Sequence, residues 1–115
     1  VIQGTVLDVA LDIRKGSPTF GQHVAVKLTA KNKKQLLVPR GFAHGFVVLS
    51  KEAIFAYKVD NYYCPECDRG IAFDDKFLNI DWKIAFNEMK LSEKDTKQPV
   101  FEKATYFNFK DKPYV

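Results

Sequence analysis

The chain has 115 residues, a formal net charge of +4, 46% hydrophobic and 28% charged residues. That size and balance call for one folded domain and exclude both disorder and a multidomain arrangement. No apolar run approaches the roughly 20 residues that span a bilayer, and no charged-then-apolar leader opens the chain, so neither a membrane span nor secretion is expected; two cysteines in a Lys-rich chain make no disulfide framework, so a cytosolic, reducing setting is expected. The charge permits an anionic ligand such as a nucleotide. No nucleic-acid partner is expected, because outside the turn Lys31, Lys33, Lys34 the lysines are scattered and no recognition-helix or zinc-finger pattern is present.

Ten Phe, five Tyr and one Trp favour strands, and the expected fold is mainly β. Val6 to Ile13 alternates Leu7, Val9, Leu11 and Ile13 against Asp8, Ala10 and Asp12, the period of a half-buried strand. Arg14 to Gly21 is a turn-rich break. Val24, Val26 and Leu28 mark a second strand, closed by Lys31 to Lys34, and Gln35 to Val38 a short third, ended by Pro39 and Gly41. Phe42 to Leu49 and Ala53 to Val59 follow as a hairpin around Ser50 to Glu52. Asp60 to Asp75 reads as an ordered surface loop and Leu78 to Trp82 as another strand. Ser92 with Asp95 resembles a helix start, kept short by Pro99. The pattern from Val100 onward matches no element. Many short strands predict a barrel or sandwich, one domain over residues 1–115. Because the chain opens on Val1 and enters a β pattern within a few residues, it reads as a piece whose earlier strands are missing.

Four features carry chemistry. His44, flanked by Gly41 and Gly45, shares a face with Phe42, Phe46 and Val48, which reads either as a hydrogen-bonded core histidine or as a ligand contact. Tyr57 lies on a face with Ala53, Phe55 and Val59, as packing or as a phenolic general acid. Asp8, Asp12 and Asp95 read as solvated carboxylates, the alternative being a buried carboxylate that orients a histidine. Cys64-Pro65-Glu66-Cys67 has the spacing of half a zinc site or a redox pair; with no second Cys pair, two plain loop cysteines are expected. A cupin-type metal centre needs two or three histidines and a carboxylate, a set the chain lacks, so no metal is expected.

Read together, several stretches resemble the dTDP-4-dehydrorhamnose 3,5-epimerase family. They are Val6 to Arg14, Ser17-Pro18-Thr19-Phe20-Gly21, Ala30 to Leu36, Val38-Pro39-Arg40-Gly41-Phe42-Ala43-His44-Gly45-Phe46, Tyr57-Lys58, Asn61-Tyr62-Tyr63, Gly70-Ile71, Ile80-Asp81-Trp82 and Leu91 to Asp95. Order and spacing agree from the first residues to about Pro99. The resemblance implies a cupin-like jelly-roll β-barrel with a short C-terminal helical segment. It also implies a homodimer and epimerisation of a dTDP-4-keto-6-deoxy sugar at C3 and C5 in dTDP-L-rhamnose biosynthesis, without cofactor or metal. By the same resemblance His44 contacts substrate, Tyr57 is the general acid, Tyr63 stacks on the thymine ring, Asp95 supports the catalytic histidine, and Lys94 binds nucleotide. Asp68 falls where the family commonly has a ligand-binding glutamate. The family's catalytic histidine, in an Arg-Gly-Leu-His stretch, lies before the position of Val1, and neither His23 nor His44 replaces it. The chain is therefore expected to be a C-terminal portion, inactive without that base. A non-catalytic sugar-nucleotide-binding cupin, a single-centre epimerase and a ketoisomerase are the alternatives.

Overall fold

The computed structural model describes residues 1–114. In chain order the strands are β1 (Thr5–Asp12), β2 (Arg14–Lys15), β3 (His23–Thr29), β4 (Phe42–Val48) and β5 (Phe107–Asn108). A three-stranded antiparallel sheet has β1 at its centre between β3 and β4, and β2 pairs in parallel with β5 in a second, two-stranded sheet. The mainly β expectation holds.

Leu7, Val9, Leu11 and Ile13 alternate onto one face of β1 and its extension, and that face is dry. Leu11 and Ile13 pack with Leu78 and Phe101, while Leu7 and Val9 pack with Trp82. The residues that cover it come from an irregular segment whose helical content is short 3-10 turns at Phe86–Glu88, Lys94–Thr96 and Phe101–Lys103. Irregular backbone is held there by specific hydrogen bonds rather than by a ladder. The Trp82 indole N–H donates to the Phe73 carbonyl at 2.9 Å, and the buried Asp75 carboxylate accepts from the Leu78 and Phe101 amides at 3.0 and 2.7 Å. Gly45 lies under this cover: a Cβ there would meet the Trp82 ring at 3.4 Å, so the missing side chain lets the indole close on the sheet.

Several expectations need correction. Ala53 to Val59 forms no ladder; its backbone pairs through the isolated bridge Gln3↔Ile54, and its Phe55 ring rests on Phe46 of β4. Gln35 to Val38 and Leu78 to Trp82 are also without strand pairing, although Leu78 and Trp82 are buried as anchors. Their apolar patterns reflect burial, which coil supplies as well as a strand does. The helix expected at Ser92 is one 3-10 turn, Lys94–Thr96. The tail that matched no element supplies β5 and the Tyr106 ring, which stands edge-on to Phe20 with centroids 5.0 Å apart.

Asp8 and Asp12 are buried, 3% and 1% exposed, not solvated. β1 is covered on both faces at Asp12, and the carboxylate is satisfied from its own turn: Arg14 donates from Nε and Nη2 at 2.9 Å, Ser17 Oγ at 2.6 Å and Thr19 Oγ1 at 2.5 Å. Burial pushes this carboxyl upward, but the donors outweigh it and hold it far below the usual carboxylate range. Among the described residues, no helix is long and apolar enough to cross a membrane.

Candidate functional site

The opposite face of β1 carries Val6, Asp8 and Ala10, whose directly paired partners on β4 are Val48, Phe46 and His44. Paired residues share a face, so alternation sets His44, Phe46 and Val48 beside the Asp8 carboxylate. This face is open: Val24, Phe46 and Val48 keep 55%, 49% and 37% of their surface exposed. His44, expected to be buried among aromatics, is more than a third exposed here, because the Trp82 segment covers the other side of β4, against Gly45.

His44 Nε2 and Asp8 Oδ1 are 2.5 Å apart. The contact is diagonal, since Asp8 pairs directly with Phe46 and His44 with Ala10. The contact engages Nε2 and leaves Nδ1 as the ring nitrogen that faces no side-chain partner among the described residues. Removing His44 would strand the buried Asp8 carboxylate without its partner. From His44 a line of rings continues along the face: Phe46 at 6.4 Å between centroids, then Phe55 at 4.8 Å from Phe46, then Tyr57 at 6.1 Å from Phe55. Tyr57, expected to turn its phenol inward, is 74% exposed; the face it flanks is uncovered, so inward packing has nothing to close against.

The remaining expected site residues form a second group. Lys94 Nζ donates to Asp68 Oδ2 at 2.6 Å, joining the Lys94–Thr96 turn to the loop after Tyr63. That contact holds the Asp68 carboxyl below its usual range and lifts the Lys94 ammonium above its own, with smaller contributions to Lys94 from Asp95 and Tyr63. Tyr63 presents 86% of its surface to solvent. Asp95 is exposed, and its amide donates to Ser92 Oγ at 3.3 Å. Asp68 and Lys94 are thus in direct contact, with Tyr63 and Asp95 within electrostatic reach.

For Asp8 the structure takes the alternative that the sequence left open, a buried carboxylate against a histidine. Its alternation onto the Ala10 side was visible; its register against β4, which alone brings it to His44, was not. A 340 Å³ groove elsewhere is lined in part by Arg14, Arg40, Phe42 and Asp60, but Asp12 engages Arg14 and Asp60 engages Arg40, so neither guanidinium is free for an anion. Cys64 and Cys67 are joined by a disulfide. Their sulfurs and a Glu66 oxygen lie within 4.8 Å of one another, yet a metal needs thiolates, which the bonded pair does not offer.

The central β1, flanked by antiparallel partners with one sealed and one open aromatic face, makes this a portion of a cupin-type barrel. The family model for dTDP-4-dehydrorhamnose 3,5-epimerase matches residues 1–103, and the chain belongs to that family. A relative of that name from Shigella flexneri is 52% identical over 106 residues, covering 92% of this chain and 58% of its own length. One from Methanothermobacter thermautotrophicus is 43% identical over 108 residues, 92% of this chain and 58% of the relative. Among solved structures, a dTDP-6-deoxy-D-glucose-3,5-epimerase from Legionella pneumophila in complex with dTDP-4-keto-L-rhamnose superposes with a TM-score of 0.91 at 45% identity, covering 96% of this chain and 60% of the other. The chain spans little more than half the length of the relatives it matches.

Proposed function

We propose that the whole protein epimerises a dTDP-4-keto-6-deoxy sugar at C3 and C5. The observation that carries this reading is the family match over residues 1–103, with the Legionella structure solved around a 4-keto sugar nucleotide. A 4-keto group acidifies the hydrogens on C3 and C5; a base removes one to leave an enolate, and a proton delivered from the opposite face inverts the centre. Tyr57 is the proton donor. His44, fixed through Nε2 by Asp8, contacts the substrate through Nδ1. Tyr63 stacks on the thymine, and Lys94, shared with Asp68, meets the nucleotide's negative charge. Asp95 supports the abstracting histidine, which belongs to the part of the protein that precedes Val1. Two proton handlers suffice, and the chemistry asks for no cofactor or metal.

In this reading residues 1–115 are part of one cupin-like domain, and strands from the remaining length of the protein cover the open β4 face. The protein acts in the cytoplasm as a homodimer. The test is deuterium wash-in from heavy water into a dTDP-4-keto-6-deoxy sugar by the full-length protein. Incorporation at both C3 and C5 is expected. Incorporation at one carbon assigns a single-centre epimerase, and binding of dTDP without incorporation assigns a sugar-nucleotide binder.

A further inference from the structure

The disulfide Cys64–Cys67 lies in the stretch between Tyr63 and Asp68, and the proposed function leaves it unused. We propose that these two cysteines form a reversible thiol–disulfide exchange site that sets the order of the turn carrying Asp68, and through that turn the loop's hold on nucleotide. The second half rests on the roles of Tyr63 and Asp68 proposed above.

Four observations support the exchange site. The bond joins residues only three apart in sequence; a ring that small removes little chain entropy from the unfolded state, so its effect is local rather than global. Cys67 is exposed and Cys64 half-buried, so a small thiol reaches at least one sulfur. The turn depends on the ring: Cys64 starts the 3-10 turn Pro65–Cys67 with no side-chain cap, and its two backbone bonds are the Cys67 amide to the Cys64 carbonyl at 3.0 Å and the Asp68 amide to the Pro65 carbonyl at 3.2 Å. Beyond it, Asp68 is bound to Lys94 at 2.6 Å, so any loosening at Cys67 passes directly to that ion pair.

The exchange uses glutathione as the redox partner. A glutathione thiolate attacks Sγ of Cys67, the more exposed residue of the pair; the Sγ–Sγ bond breaks, a mixed disulfide forms and Cys64 leaves as a thiolate that takes up a proton. A second glutathione attacks the mixed disulfide, forms glutathione disulfide and releases the Cys67 thiol. The protein gains two electrons and two protons, and two glutathiones are oxidised. In the dithiol form the turn keeps its two backbone bonds and the Arg69 guanidinium contact to the Glu66 carbonyl, but loses its one covalent closure.

The test equilibrates the full-length protein in glutathione buffers of graded ratio, traps thiols by alkylation, and measures hydrogen exchange by mass spectrometry in the oxidised and reduced states. The expected result is one two-electron transition inside the glutathione range, with faster exchange of the Cys67 and Asp68 amides in the reduced state. A pair that stays wholly oxidised or wholly reduced in every buffer, or amides that exchange equally in both states, overturns the proposal. The C64S/C67S variant should exchange like the reduced protein in every buffer, and a glutathione response in that variant also overturns it. Titration with dTDP separates the two halves: about fivefold or more tighter binding to the oxidised form is expected if the turn couples to the nucleotide site. Equal affinity overturns the coupling. No dTDP binding in either state, with the redox transition present, refutes the nucleotide reading of the loop and leaves the exchange site established.

Discussion

The two faces of β1 are built from the same strand and do opposite work. On one, Leu7, Val9, Leu11 and Ile13 lie under Trp82, Leu78 and Phe101 with almost no solvent contact. On the other, Asp8 reaches a half-exposed His44, and a row of rings leads out to Tyr57. The sealed face is made almost wholly of apolar groups, its one indole N–H satisfied by the Phe73 carbonyl, and so it carries stability. The open face holds a costly buried carboxylate and several uncovered aromatics, features with no stabilising purpose in the folded portion itself. The rigid sealed side gives the chemical side a fixed backbone on which to hold a diagonal Asp–His contact.

If this division is right, substitutions on the two faces should change different observables. The largest effect belongs to the open face. Tyr57→Phe removes one hydroxyl from a residue that is 74% exposed, so folding and dTDP binding should be unchanged. Turnover of the full-length protein should fall by about 10²- to 10⁴-fold, the usual worth of a positioned proton donor. Steady-state kinetics beside a denaturation curve decide it; a fully active variant would remove Tyr57 from the mechanism and leave the open face without an acid.

Trp82→Ala should show the reverse. The indole fills the space over Gly45 and donates to the Phe73 carbonyl, so its loss opens a cavity and strands an acceptor. Denaturant unfolding should report about 3 to 5 kcal/mol of destabilisation, while the folded fraction keeps its dTDP affinity. Loss of affinity without loss of stability would break the division between the faces.

Asp12 probes how the strand tolerates a charge at its buried end. Its carboxyl is depressed in the folded state, because Arg14, Ser17 and Thr19 outweigh the cost of burial. A depressed folded value means that stability from this group is complete above the unfolded value of 3.8 and is lost as pH falls below it. Asp75, depressed by backbone amides that outweigh its own burial, acts in the same direction. Urea midpoints should therefore be flat from pH 7 to about 5 and decline steeply towards pH 3. Asp12→Asn should lower the plateau by about 1 to 3 kcal/mol, since it leaves Arg14 without its charged partner, and should shallow the acid decline. An unchanged decline would assign the acid sensitivity to other carboxylates.

What could be read in the sequence follows from which interactions are local. The alternation of Leu7, Val9, Leu11 and Ile13 is a property of consecutive residues, and it located β1 and its sealed face correctly. The runs around His44 and Val26 located β4 and β3 as strands but pointed to the wrong sealed face on β4, where Ala43 and Val47, not His44 and Phe46, pack on the core. Pairing is not local. Ala53 to Val59 has a strand's composition but its backbone pairs only at the Ile54 bridge among the described residues, because a ladder depends on a neighbour that no pattern within the segment reveals. The same limit left Asp8 undecided between solvent and a histidine: only the register sets it diagonally across from His44. Asp12 was misread for the complementary reason. Its partners Arg14, Ser17 and Thr19 were close in sequence, but only the turn that folds them back on the end of β1 makes them donors. Residues in the loop from Asn61 to Asp68 were legible through family resemblance alone, since nothing in their local pattern distinguishes a stacking tyrosine from an exposed one.

That loop sets the finest test, because it belongs to neither face. Tyr63 is 86% exposed and has no packing role to lose, so a substitution there reports on ligand contact with little interference from folding. If its ring stacks on thymine, Tyr63→Phe keeps the π-face and should leave dTDP affinity unchanged, whereas Tyr63→Ala should weaken it by about 1 to 3 kcal/mol, the worth of one base–aromatic stack. If the phenol acted instead through its hydroxyl, the two variants would lose affinity alike. Calorimetric titration with dTDP distinguishes the two cases, and thymidine alone refines the result. A stacking contact should persist with the nucleoside, while the share contributed by Lys94 beside it, which acts on the phosphates, should vanish. Affinity for thymidine that is the same in wild type and Tyr63→Ala would take the base away from this loop and leave Lys94 and Asp68 as its only claim on the nucleotide.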